Sequence, residues 1–185
     1  MEKQKPVIAT TSLAGCFGCH MSLLDIDERL LGLIELVEFD KSPINDIKNF
    51  SRHCDIGIIE GGCCNSENIQ VLKEFRKNCN TLVSLGECAI MGGLPALRNG
   101  IPIRECIDEA YLSGPSVKGH NKDMILPNDP ELPMLLDRVY FCHEIVKIDY
   151  FIPGCPPRAD LIYEALIALV EGKEMQLPYY AVKFD

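Results

Sequence analysis

Four of the chain's ten cysteines stand where thiols from distant segments could act on one group: Cys16 and Cys19 in C-F-G-C, Cys88 in L-G-E-C-A, and Cys155 in P-G-C-P-P. Each lies just past an apolar run that reads as a β-strand. In an open α/β sheet ligands bind beyond the carboxyl ends of the strands, so such segments can meet there. Several thiolates gathered from separate loops suit an iron–sulfur cluster, an anionic group that favours loops whose backbone N–H groups point inward. Gly15, Gly18, Gly86 and Gly154 sit beside these cysteines and permit close backbone approach. The Cys155-Pro156 step also matches the Cys-Pro ending of ferredoxin-type ligand runs.

The remaining thiols sort by strand end. Cys63 and Cys64 close a strand in E-G-G-C-C and join the carboxyl edge, which makes six candidates for four positions. Cys16, Cys19, Cys88 and Cys155 are favoured, with Cys63 and Cys64 in reserve. Cys54 and Cys79 precede their strands and belong at the opposite edge, Cys106 falls within a helix, and Cys142 precedes the last strand. These four read as packed or surface thiols, because free cysteine behaves as a small hydrophobe.

Three other chemistries compete. Structural zinc usually takes two close ligand pairs, and only one such pair is present. A thioredoxin-like dithiol suits Cys16-Phe17-Gly18-Cys19, which follows a strand and opens a helix, but it leaves Cys88 and Cys155 without a role. Flavin in the Thr10–Gly18 loop would need a phosphate cradle where Cys16 and Phe17 stand. Glu60 closes a strand next to the proposed site, as a neighbour of the chemistry or as an ordinary strand-end carboxylate. His20 is placed to bond a cluster sulfur or a partner chain, or simply to pack; His53, His120 and His143 carry no signal.

The elements that position these residues alternate. Pro6–Thr10 reads as strand one, and Leu23, Ile26, Leu30, Leu33, Ile34 and Val37 follow a helical period from Ser22, the expected N-cap, with Asp25 completing a capping box. Val37–Phe39 is a weak strand and Asp55–Ile59 a clear one, after which Asn65 or Ser66 opens a helix carrying Ile69, Leu72 and Phe75 inward. Thr81–Leu85 forms a strand, 103–112 a helix, and Ser113–Pro133 an ordered loop rich in Pro, Gly, Asn and Asp. The last strand is expected over Ile145–Ile152 and the last helix from Arg158 to Glu171, with Pro157 suited to its first turn. This order implies an α/β fold, a flavodoxin-like doubly wound parallel sheet with the cluster site at the carboxyl ends of its strands.

A chain of 185 residues has one core's worth of buried surface and little more, so residues 1–185 are expected to form a single domain. A net charge of -9 argues against a nucleic-acid or anionic-membrane surface, since both require clustered Lys and Arg. The N-terminus lacks the apolar stretch of a signal peptide, no twin-arginine pair occurs, and the apolar run Ala165–Val170 is far short of the roughly 20 residues that span a bilayer. A cytoplasmic chain this rich in thiols is expected to bind metal or do redox work rather than form disulfides.

The motifs taken together, Leu13–Asp25, Ile59-Glu60-Gly61-Gly62, Ser84–Ala89 and Phe151–Pro157, resemble the small subunits of nickel–iron hydrogenases, above all the cytoplasmic, bidirectional NAD-reducing type. The resemblance runs over nearly the whole chain. It implies that Cys16, Cys19, Cys88 and Cys155 ligate one [4Fe–4S] cluster, nearest to the nickel–iron centre of a separate large subunit. Hydrogen would be split on that partner, and electrons would pass through this chain to flavin-containing diaphorase subunits that reduce NAD. The chain also resembles the 20 kDa-type subunit of respiratory complex I in its P-G-C-P-P ending, but there the first two ligands are adjacent instead of split. The adjacent Cys63-Cys64 pair departs from the hydrogenase pattern. Cytoplasmic hydrogenases linked to NADP or to a deazaflavin, and a stand-alone thiol oxidoreductase, are the alternatives. Small residues at positions 14, 15, 18, 92 and 93 beside Phe17, Met21, Met91 and Leu94 suit close apolar docking of another subunit.

Overall fold

The computed structural model of the chain describes residues 5–117 and 126–179. Along it run β1 (Val7–Ser12), α1 (Gly18–Leu24), α2 (Arg29–Leu36), β2 (Glu38–Phe39), β3 (Cys54–Glu60), β4 (Cys63–Asn65), α3 (Ser66–Asn78), β5 (Cys79–Leu85), α4 (Glu87–Met91), α5 (Ile103–Asp108), β6 (Leu135–Tyr140), α6 (Cys142–Ile145), β7 (Tyr150–Ile152) and α7 (Ala159–Val170). Five of the strands form one parallel sheet in the order β2-β1-β3-β5-β7. Counted within the sheet this is 2-1-3-4-5, the flavodoxin-like order expected from the alternation of elements.

Strands covered on both faces carry apolar runs, and β1, β3 and β5 do, in Val7, Ile8 and Ala9, in Ile56, Ile58 and Ile59, and in Leu82, Val83 and Leu85. Successive side chains still divide between two layers. Ile8, Ile56, Ile58, Val83 and Leu85 pack with Leu23, Ile26 and Leu33 and with Leu161, Ile162 and Leu166 of α7. Val7, Ala9, Ile59 and Leu82 face the other way, onto Leu72 and Phe75 of α3.

Strand register decides where the cysteines emerge. Ser12 pairs with Glu60, Glu60 with Leu85, and Leu85 with Ile152, so four strands end level across the sheet. The loops that leave this edge are those carrying Cys16 and Cys19, Cys63 and Cys64, Cys88, and Cys155. At the opposite edge Cys54 pairs with Cys79.

Several local expectations are corrected. The helix drawn from Ser22 to Val37 is two helices, broken where Asp27 takes a left-handed φ of 55°. The apolar period survives the break because Leu23, Ile26 and Leu33 reach the same core. Ser22 is not an N-cap: α1 opens at Gly18 after Phe17, and the Ser22 hydroxyl donates to Pro157 O at 2.5 Å. Within Ile145–Ile152 only the last three residues are strand. Val146 N closes the α6 turn on Cys142 O, and pairing to β5 begins with Asp149 N on Leu82 O. Ile145 and Ile148 are apolar because they pack behind α3, a burial that needs no extended backbone. Pro157 precedes the N-cap Arg158, one position outside the helix. The antiparallel pair β4–β6 is an addition that the sequence pattern does not predict. His120 and part of the Ser113–Pro133 loop lie outside the described residues.

Candidate functional site

The first loop, Leu13–Phe17, is tied to the loop after β3 by reciprocal bonds between Ala14 and Gly62, both 2.9 Å. Gly61 makes this approach possible: its φ is +82°, and a Cβ there would lie 2.7 Å from the Leu13 carbonyl carbon. Cys16 is exposed, and its sulfur accepts Gly18 N–H at 3.4 Å. Phe17 has a φ of 66°, a left-handed conformation that costs a non-glycine residue roughly 1–3 kcal/mol. Cys19 is the second residue of α1 and half-buried.

The loops after β5 and β7 are fastened together. Gly86 N donates to Ile152 O at 2.8 Å and Glu87 N to Gly154 O at 3.0 Å. Gly154 N in turn donates to Glu87 Oε1 at 3.0 Å. Burial pushes the Glu87 carboxyl up, and the Gly154 bond pulls the other way. Gly86, at φ +83°, is where the first loop meets this pair, since a Cβ there would overlap the Cys19 sulfur. Gly93 does the same for Cys88, with a Cβ there falling only 2.9 Å from its sulfur. Cys155 is exposed at the tip of the last loop.

The favoured thiols are close enough to sense one another. Burial raises the Cys19 pKa, and the nearby Glu60, Cys88, Cys16 and Cys155 raise it further. Cys88 is pushed up by burial, pulled back by a backbone bond from Leu94, and raised again by Cys155, Cys16 and Glu60. Neither Cys63 nor Cys64 belongs to this set. Cys63 is fully buried and bonded to the Cys142 thiol, which lowers Cys63 and raises Cys142; the Cys142 sulfur also reaches Gly61 O at 3.4 Å. Cys64 Sγ points to Asn68 Oδ1 at 3.3 Å. Among the described residues no three His, Cys, Asp or Glu side chains converge on a point suited to a single metal ion.

His20 turns inward. Its backbone N donates to Glu60 Oε2 at 2.6 Å, its Nδ1 lies 2.7 Å from the same oxygen, and its Nε2 lies 2.9 Å from Thr10 Oγ1. Both residues are sealed, His20 at 0% and Glu60 at 2% exposure, so His20 bonds neither a sulfur nor a partner surface. His53 bonds Asn80 at the far edge, and His143 packs near Phe141 and Phe151. Met21, Met91 and Leu94 are exposed, as a docking face would require. Glu87 leaves no mark in the sequence, because a glutamate beside a cysteine carries no sign that it will be buried. Gly93 shows only its small size there, and its positive φ follows from the fold.

The donor set suits a cluster: thiols from three loops, two glycines whose missing side chains make room at the sulfurs, and backbone N–H groups in the same loops. Residues 16–169 match the family described as NADH ubiquinone oxidoreductase, 20 Kd subunit. Over 179 residues the chain is 46% identical to the delta subunit of the NAD-reducing hydrogenase HoxS of Cupriavidus necator, covering 96% of this chain and 85% of that one. It is 37% identical over 177 residues to a subunit of the F420-non-reducing hydrogenase of Methanothermobacter marburgensis, covering 95% of this chain but 56% of the relative. A solved chain of an NAD+-reducing nickel–iron hydrogenase in the hydrogen-reduced state has a TM-score of 0.92 at 48% identity, covering 98% of this chain and 100% of that one.

Proposed function

The chain belongs to the NADH ubiquinone oxidoreductase 20 Kd subunit family, and from its likeness to the NAD-reducing hydrogenase chains we propose that it is the electron-transferring small subunit of an NAD-reducing nickel–iron hydrogenase. The observation that carries the reading is the level carboxyl edge, where Cys16, Cys19, Cys88 and Cys155 emerge from three loops, close enough that Cys16 and Cys155 act on the buried thiols Cys19 and Cys88. The 46% relative, matched over most of its length, favours the NAD-reducing type over the 37% relative, of which the chain spans about half.

In this reading Cys16, Cys19, Cys88 and Cys155 hold one [4Fe–4S] cluster, which when bound accepts and returns one electron at a time. The protein's part is to fix the four sulfurs and to exclude water from two of them. Loading expels the protons of the thiols that become ligands and is therefore favoured by higher pH. Gly18 N–H offsets negative charge at Cys16. The nickel–iron centre belongs to the large subunit, docked over Met21, Met91 and Leu94, and flavin and NAD belong to the diaphorase subunits. Residues 1–185 act as one iron–sulfur domain in the cytoplasm. Among the described residues no helix is long and apolar enough to cross a membrane.

A stand-alone thiol oxidoreductase is disfavoured because it leaves Cys88 and Cys155, which lie near enough to Cys19 to act on it, without a role. Purification of the chain with its partners is the test. A large subunit and diaphorase subunits are expected to copurify, with iron and acid-labile sulfide bound to this chain. The isolated chain is expected to take up no hydrogen with an artificial dye and to reduce no NAD. Metal-free chain that still exchanges disulfides would overturn the reading.

A further inference from the structure

The C-F-G-C turn is held by something other than its own preferences. Phe17 sits at φ 66°, ψ 8°, a conformation its side chain disfavours, and no side chain caps the helix after it. What stands against it is the His20 ring, stacked on the Phe17 ring at 4.6 Å with 6° between planes. His20 is in turn gripped twice by one carboxylate oxygen, through its backbone N–H and its ring. The other oxygen, Glu60 Oε1, accepts the Ser12 hydroxyl at 3.1 Å.

The surrounding hydroxyls orient the ring. Ser42 Oγ accepts Ile44 N–H at 3.2 Å and lies 2.7 Å from Thr10 Oγ1, which faces His20 Nε2. If Ser42 donates to Thr10 and Thr10 to Nε2, then Nδ1 carries the proton and donates it to Glu60, and every buried donor has an acceptor. The network therefore holds the ring in one position.

We propose that Glu60 is a positioning residue that, through His20 and the stacked Phe17 ring, locks the turn between Cys16 and Cys19 in the conformation that presents both thiols. The inference rests on the cluster assignment above and adds to it a residue from a different strand, forty positions from His20. It accounts for a buried carboxylate at the end of β3: three donors satisfy it, one from Ser12 of β1 and two from His20 of α1.

The test is made on the assembled complex. Glu60→Ala and His20→Ala are each expected to lose most of the iron and sulfide, while Glu60→Gln, which keeps an acceptor for both His20 N–H groups, retains them with the cluster's midpoint potential moved positive. Because glycine adopts a positive φ freely, Phe17→Gly added to His20→Ala is expected to restore cluster content. A merely structural role for His20 would not be rescued this way. The proposal is overturned if Glu60→Ala and His20→Ala keep wild-type cluster content and potential, or if Phe17→Gly gives no rescue. Should Glu60→Ala fail to assemble, the Glu60→Gln potential and the Phe17 rescue still decide the matter. Cys88→Ser serves as the control: full iron in that variant would sink the ligand assignment itself, whereas iron lost there but kept in the clamp variants would sink only the clamp.

Discussion

Cysteines lie at both ends of the central sheet. At the amino end Cys54 and Cys79 pair across β3 and β5, buried, with the Cys54 thiol 3.8 Å from Asp40 Oδ2. Burial pushes them up to about 11 and about 12. At the carboxyl end burial pushes up Cys19 and Cys88 in the same direction. Desolvation therefore does not tell the proposed cluster site from a packed core. The backbone around the sulfurs does. Cys54 and Cys79 sit in regular strands, walled by Leu72, Phe75 and Leu82. Cys19 and Cys88 sit beside Gly86 and Gly93, positive-φ turns that leave room at the sulfur, with Cys16 and Cys155 exposed nearby. The outer surfaces differ as well. The amino end shows Lys5, Arg52, His53 and Asp55 around a shallow pocket, and near the carboxyl end Met21, Met91 and Leu94 are bare.

The sharpest way to break this contrast is to remove sulfur at each end. Serine at Cys16, Cys19, Cys88 or Cys155 is expected to abolish most of the cluster, and serine at Cys54 or Cys79 to leave it intact, read from iron, sulfide and the reduced-state spin signal. A variant also lacking Cys63 and Cys64 checks for rescue by neighbouring thiols. Glycine substitutions come next. Gly86→Ala puts a methyl into the Cys19 sulfur at a strained φ, so it is expected to cost about 1–3 kcal/mol and the cluster with it. Gly57→Ala also crowds a sulfur, 2.8 Å from Cys79, and is expected to cost a similar amount by overpacking while the cluster stays. Denaturant midpoints and iron content measured side by side distinguish the two.

A third prediction concerns the surfaces. Met21→Glu is expected to weaken assembly with the partner subunit, and Lys5→Glu to leave it unchanged, as seen in copurification at matched expression. The smallest effect is a pH dependence confined to the amino side. Burial raises the Asp149 pKa, but bonds from Arg76 and from Leu82 N–H outweigh it and hold the carboxyl below its ordinary 3.8. A depressed folded value means this stabilisation is present above about pH 4 and is lost as pH falls through the folded pKa. Asp149→Asn is expected to flatten the acid limb of stability against pH below that point, and an unchanged limb would show that the Asp149 bonds contribute nothing.

Much of the molecule is legible because it depends on local pattern. Parallel strands covered on both faces carry apolar runs, so Asp55–Ile59 and Thr81–Leu85 announce themselves, and each is followed by glycine and cysteine. Asn65 can be read as a cap because its side chain bonds Asn68 N within one turn. Where apolar residues serve a remote surface, pattern misleads. Ile145 and Ile148 look like strand and are core behind α3, and the period from Leu23 to Leu33 conceals the break at Asp27.

Residue identity alone therefore determined the fold class and the strand-end placement of the cysteines, since both follow from pattern along the chain, and the resemblance of its motifs to hydrogenase small subunits pointed to the family. Tertiary structure alone decided which thiols share a neighbourhood. It turned Cys63 away onto Cys142, buried Glu87 against Gly154, and set Glu60 beneath His20. Those pairings join residues between 40 and 79 positions apart, through strand register and loop geometry. A local sequence window carries no record of contacts that exist only once the strands are side by side.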